Sequence, residues 1–82
     1  MIRISKESKL APPKVIAAAL QFFGPSGVGL TIVSEGDCCA RLEGAGGHVF
    51  VQTEELEDSK GSQVIIEGRE FDYQIKEFLG KI

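Results

Sequence analysis

Eighty-two residues, 43% of them hydrophobic and 26% charged, describe one small globular domain. A chain this short buries only about 60% of its extended surface on folding, which weighs against a large enclosed active site. The net charge of −3, with no strongly basic half, weighs against a nucleic-acid partner, since such binding relies on clustered Lys and Arg to release counterions.

In chain order, Met1–Ser5 alternates apolar and polar residues and predicts a short strand with Ile2 and Ile4 inward. Ser5–Lys9 is polar and predicts a loop. Arg3, Lys6, Lys9 and Lys14 form a small basic cluster, read as a solvated surface. Pro12-Pro13 open a helix, because proline is tolerated where its missing N–H would have no partner. Val15, Ile16, Ala19, Leu20 and Phe23 share one helical face. Gly24 is expected to end the helix in the left-handed conformation, and Pro25 blocks continuation. The apolar run Val15–Phe23 is too short to span a bilayer, which needs about 20 residues. The prolines before it and the bulky Gln21-Phe22-Phe23 at its end, where small cleavage-site residues belong, do not fit a signal peptide.

Four strands are expected next: Gly29–Ser34, Cys38–Leu42, His48–Thr53 and Gln63–Ile66. Their turns are Glu35-Gly36-Asp37, Gly44-Ala45-Gly46-Gly47 and Asp58-Ser59-Lys60-Gly61. A three-residue first loop would set Ser34 against Cys38, Ile32 against Ala40 and Leu30 against Leu42. A four-residue second loop would set Leu42 against Val49 and Ala40 against Val51. One face then collects Leu30, Ile32, Cys38, Ala40, Leu42, Val49 and Val51. The other collects Thr31, Val33, Cys39, Arg41, Glu43, His48, Phe50 and Gln52. A one-residue slip would turn a whole strand over. The second face is mixed, with Val33, Cys39 and Phe50 among charges, and such an apolar island calls for a cover. Val33, Cys39, Arg41, His48 and Phe50 are therefore the candidate interaction face. Glu54–Asp58 is acidic and reads as the exposed end of a hairpin, without the spacing of a calcium loop. Phe71, Ile75, Phe78, Leu79 and Ile82 form the stripe of a C-terminal amphipathic helix.

Gly24-Pro-Ser-Gly-Val-Gly29-Leu30-Thr31 resembles a Walker A phosphate loop in its glycine spacing. Leu30 stands where that loop needs lysine, and the order runs from helix into strand rather than from strand into helix. It is read as a helix stop. Cys38-Cys39 is a candidate thiol site. Neighbours on a strand point to opposite faces, so Cys38 is expected as a core thiol and Cys39 as an open-face thiol. With one histidine in the chain, no zinc set or hydrolase triad can be assembled. No catalytic residue, metal or cofactor is assigned. Two adjacent cysteines make no disulfide framework, which agrees with a cytoplasmic protein.

The expected fold is α+β: a small antiparallel sheet of order β-α-β-β-β-β-α, residues 1–82 as a single domain, with two helices packed on the sheet. That order resembles one repeat of the TATA-binding-protein-like fold. Val64–Ile82, a strand running into a long helix, is also similar to the end of helix-grip domains. The first resemblance implies a curved sheet with a concave face. Here, however, the chain is acidic and Phe50 is the one aromatic on that face. The second implies an apolar ligand held between sheet and helix. Neither family's functional residues carry over. The leading functional expectation is a non-enzymatic module that self-associates through an exposed sheet face or edge, with a protein partner, a second copy of itself included, and no nucleic acid or membrane. The alternatives are a small apolar-ligand binder and a thiol redox or soft-metal sensor at Cys38-Cys39.

Overall fold

The computed structural model describes residues 2–44, 46–57 and 61–82. In order these form β1 (Ile2–Ser8), α1 (Pro12–Phe23), β2 (Thr31–Glu35), β3 (Cys39–Gly44), β4 (Gly47–Glu55), β5 (Ser62–Arg69) and α2 (Asp72–Leu79). The α+β order is the one expected from the sequence. The strands make one antiparallel sheet in the order β1-β5-β4-β3-β2.

That order explains where α1 lies. The chain leaves β1 at one edge of the sheet and re-enters at β2, the other edge. Four strand spacings are about 19 Å, and a 12-residue helix is about 18 Å long. Helix α1 therefore bridges the sheet and packs on β3, β4 and β5. Helix α2 returns from β5 onto the same face. Val15, Ile16, Ala19 and Phe23 of α1 meet Ala40, Leu42, Val49, Val51, Val64 and Ile66 of the sheet. Ile75, Phe78 and Leu79 of α2 complete the core. Full burial of each large aliphatic or aromatic side chain stabilises by about 1.5–3 kcal/mol. The rings of Phe22, Phe23 and Phe78 lie 5.0–5.5 Å apart and join the two helices.

The β3–β4 pairing is the expected one, with Leu42 opposite Val49 and Ala40 opposite Val51. The β2–β3 pairing differs. Ile32 stands opposite Leu42, not Ala40, and Thr31 stands opposite Glu43. The register shifts between Ile32 and Ser34, so Ser34 opposes Arg41 and Val33 is the extra residue of a bulge. Ile32 moves by an even number of positions and stays on the Leu42 face. The bulge sends Ser34 to the opposite side.

Three further expectations are corrected. Residues 5–8 are strand rather than loop: Lys6 and Ser8 continue β1, opposite Val64 and Ser62. Ser8 and Ser62 are both buried, the Ser62 Oγ donating to the Leu10 carbonyl at 2.6 Å and the Ser8 Oγ accepting from the Leu10 N–H at 3.1 Å. Gly24 is extended (φ −73°, ψ −168°), and the left-handed turn falls instead at Gly29, φ 101°. Cys38 lies outside β3 and is exposed, so it is no core thiol. The expected turn at Asp58-Ser59-Lys60 lies outside the described residues. Among the described residues, no helix is long and apolar enough to cross a membrane.

Candidate functional site

With both helices on one face, the alternation of each strand decides what the other face shows. Pairing across the sheet sets the rows. Thr31, Glu43, His48 and Arg69 form the row beside the β3–β4 turn. Ser34, Arg41, Phe50, Glu67 and Arg3 form the next, and Cys39, Gln52, Ile65 and Ser5 the third. Glu54, Gln63 and Glu7 close the far end. This face is half-buried at most, whereas its counterpart along β5 alternates into the core at Val64, Ile66 and Gly68.

The structure brings four of the five sequence-predicted residues together here. Arg41 and Phe50 are direct cross-strand neighbours, His48 and Cys39 each lie two residues further along their strands, and all four face away from the helices. Val33, 53% exposed, sits in the bulge at the edge strand beside Ser34. Phe50 and Ile65 are diagonal neighbours on adjacent strands, within reach of each other's side chains. They make the apolar centre of the face. Charge is distributed around that centre. Arg41 pairs with Glu43 at 3.0 Å and Arg3 with Glu67 at 3.3 Å. Arg69 then supplies positive charge at one end, and Glu54 and Glu7 supply negative charge at the other.

Cys38 and Cys39 are joined by a disulfide at the β2–β3 turn, with no residue between them. The turn is held independently of the sulfurs. The Cys38 carbonyl accepts from the Thr53 N–H (2.8 Å) and the Thr53 Oγ1 (2.9 Å), and the Gly36 N–H donates to the Cys39 carbonyl at 2.9 Å. Bridging replaces the expected arrangement of one buried and one open-face thiol, because the chain reaches strand geometry only at Cys39.

The glycine-rich segment after α1 is a helix stop. Its amides point back into the chain: Val28 N–H to the Phe22 carbonyl, Leu30 N–H to Phe23, Gly27 and Gly29 N–H to Gly24, all at 2.9–3.0 Å. Those donors are occupied and cannot cradle a phosphate in this arrangement. Among the described residues, no group of three or more His, Cys, Asp or Glu side chains is placed to hold a metal.

A concave feature lies in the helix layer, away from the predicted face. Side chains of Ile75, Phe78 and Leu79 fill the space between α2 and the sheet. An open cleft of about 570 Å³ lies instead between α1 and the end of α2. Phe22, next to the core residue Phe23, was its sequence signal: it lies outside the apolar stripe of α1 yet is bulky and apolar.

Comparison with protein-family models, with curated proteins and with solved structures returns no match to this chain.

Proposed function

We propose that this protein is a non-enzymatic assembly module that pairs with a second copy of itself through the uncovered sheet face. One observation carries the reading: the Phe50–Ile65 centre lies between ends of opposite charge, so the face complements itself. Consider a twofold axis lying in the interface and running across the strands. It sets the first row of one copy over the last row of the other, and the second row over the third. Arg69 then faces Gln63 of the partner subunit, flanked there by Glu54 of the partner subunit and Glu7 of the partner subunit. Phe50 falls between Ile65 of the partner subunit and Cys39 of the partner subunit. Each contact occurs twice, as an isologous interface requires.

The β2 edge supports pairing less well. The bulge at Val33 interrupts the hydrogen-bonding edge of β2, a known defence against strand addition. Five strands at about 4.8 Å and seven residues at about 3.4 Å give a face of roughly 550 Å². Twice that area is at the low end for specific interfaces, so the dimer is weak, in the micromolar range. The net charge of −3, without a strongly basic half, favours protein partners over nucleic acid.

Sedimentation velocity from about 5 to 500 µM tests this. A concentration-dependent dimer is expected, abolished by Phe50→Asp. Arg69→Glu should weaken it, and adding Glu54→Arg should restore it. A monomer throughout that range, or a dimer indifferent to Phe50→Asp, overturns the reading.

A further inference from the structure

We infer that the cleft between α1 and the end of α2 binds a small amphipathic carboxylate, its apolar chain against Phe22 and Phe78 and its anionic head at Lys81. The cleft lies in the helix layer, away from the uncovered sheet face, and the inference stands whether or not the protein dimerises.

Its volume of about 570 Å³ falls within the 300–1,000 Å³ typical of small-molecule sites. The lining is apolar along its length: Leu10 precedes α1, Ala18 and Phe22 lie on it, Val28 follows it, and Phe78 comes from α2. Ala18 is what leaves the room, since a larger side chain there would fill the space between the helices. The polar lining groups are Gln21, Glu77 and Lys81.

Lys81 fixes the class of ligand. Its Nζ lies 5.1 Å from the centroid of the Phe22 ring, where the ring attracts the ammonium and holds it beside the apolar wall. A carboxylate entering with its chain along Phe22 meets a positioned cation and gains a charge-assisted hydrogen bond. Glu77 shares the rim without such a ring contact, and it disfavours a head group placed along α2. A helical peptide is a poorer occupant. The 8-residue α2 is only about 12 Å long, and a cleft bounded by it offers few turns of contact.

Calorimetric titration with octanoate, decanoate, decanol and decyltrimethylammonium, each below its micellar concentration, tests the inference. Decanoate should bind saturably, about two- to fourfold more tightly per added methylene than octanoate. It should bind at least about fivefold more tightly than decanol, and decyltrimethylammonium should bind weakest. Lys81→Gln should remove the preference for decanoate over decanol and leave decanol binding unchanged. Ala18→Phe should cost at least about tenfold for both ligands. Val28→Asp, in a loop at the mouth and clear of the core, serves the same purpose if Ala18→Phe does not fold. Phe50→Asp should leave binding intact. Absence of saturable decanoate binding overturns the inference, as does equal or tighter binding of the ammonium compound. Decanoate binding that survives both Ala18→Phe and Val28→Asp places the ligand elsewhere and overturns it too. So does a loss of dimer, rather than of decanoate binding, on Ala18→Phe, which would assign the cleft to a second copy.

Discussion

Ile75 of α2 rests on β5 at the point where Gly68 has no side chain. A methyl group added at Gly68 would overlap the Ile75 Cδ1 and come within 3.1 Å of the His48 carbonyl oxygen. Gly68 therefore sets how closely α2 approaches the sheet. Gly68→Ala should destabilise by about 1–3 kcal/mol through overpacking. Ile75→Val, which deletes the clashing methyl, should cost about 0.5–1.5 kcal/mol alone. The double variant should lose less than the sum, by about 0.5 kcal/mol or more, because the substitutions touch. Urea midpoints at a common slope measure this, and strict additivity would show that the contact does not set the spacing.

Ser62 is fully buried and its hydroxyl holds the Leu10 carbonyl. Ser62→Ala leaves that carbonyl short of a partner and should cost about 1–3 kcal/mol. Ser8→Ala acts on the other side of the same residue, freeing the Leu10 N–H. Hydrogen exchange should distinguish the two. The Leu10 amide should exchange faster in Ser8→Ala than in Ser62→Ala at matched stability.

Glu70 adopts φ 74° between β5 and α2. A residue with a Cβ is disfavoured there by about 1–2 kcal/mol, and glycine is not. Glycine also loses more freedom on folding, so Glu70→Gly should be a net stabiliser by about 0.5–1 kcal/mol. A raised thermal midpoint with an unchanged far-ultraviolet spectrum would bear this out.

The Cys38–Cys39 bridge closes the shortest loop a chain can make, and cross-link stabilisation grows with loop length. Cys38→Ser with Cys39→Ser should therefore cost at most about 1 kcal/mol. Thr53→Val, which removes one of the two donors to the Cys38 carbonyl, should cost a comparable 0.5–1.5 kcal/mol, roughly. Denaturation with and without dithiothreitol gives the comparison. A loss of several kcal/mol on reduction alone would mean that the sulfurs, not Thr53, hold the turn.

Some of this architecture is legible in the residues. The β3–β4 register follows from alternation and the glycine-rich turn together: alternation puts Leu42, Val49, Ala40 and Val51 on one side, and the length of the turn sets which of them meet. Helix α2 is equally plain, with Phe71, Ile75, Phe78 and Leu79 buried. The bulge at Val33 is not legible, because an extra residue in a strand leaves no mark in a hydrophobic pattern. Strand β1 reads as shorter in the sequence than it is, because Lys6 and Ser8 are polar. Their inward position depends on distant groups: the Lys6 ammonium donates to the Leu79 carbonyl and the Ser8 hydroxyl to the Ile82 carbonyl. Polar residues satisfied by partners more than seventy positions away look like loop in a local reading.

The candidate face divides the same way. Phe50, Arg41, His48 and Cys39 could be grouped from the meander by parity. Glu67 and Arg69 join them through the β4–β5 pairing, and Arg3 and Glu7 only because β1 closes against β5. The cleft depended on how two helices distant in sequence diverge, and periodicity within either one does not encode that.

The placement of β1 also orders events in time. Its neighbour in the sheet is β5, so the earliest of these five strands to be made waits longest for company. Hairpins β2–β3 and β3–β4 can zip as they emerge, while Ile2–Ser8 must search for an edge not yet made. Such distant pairing slows the search. During that interval a β5 edge flanked by Val64 and Ile66 stays bare, open to strand exchange with a neighbouring nascent chain.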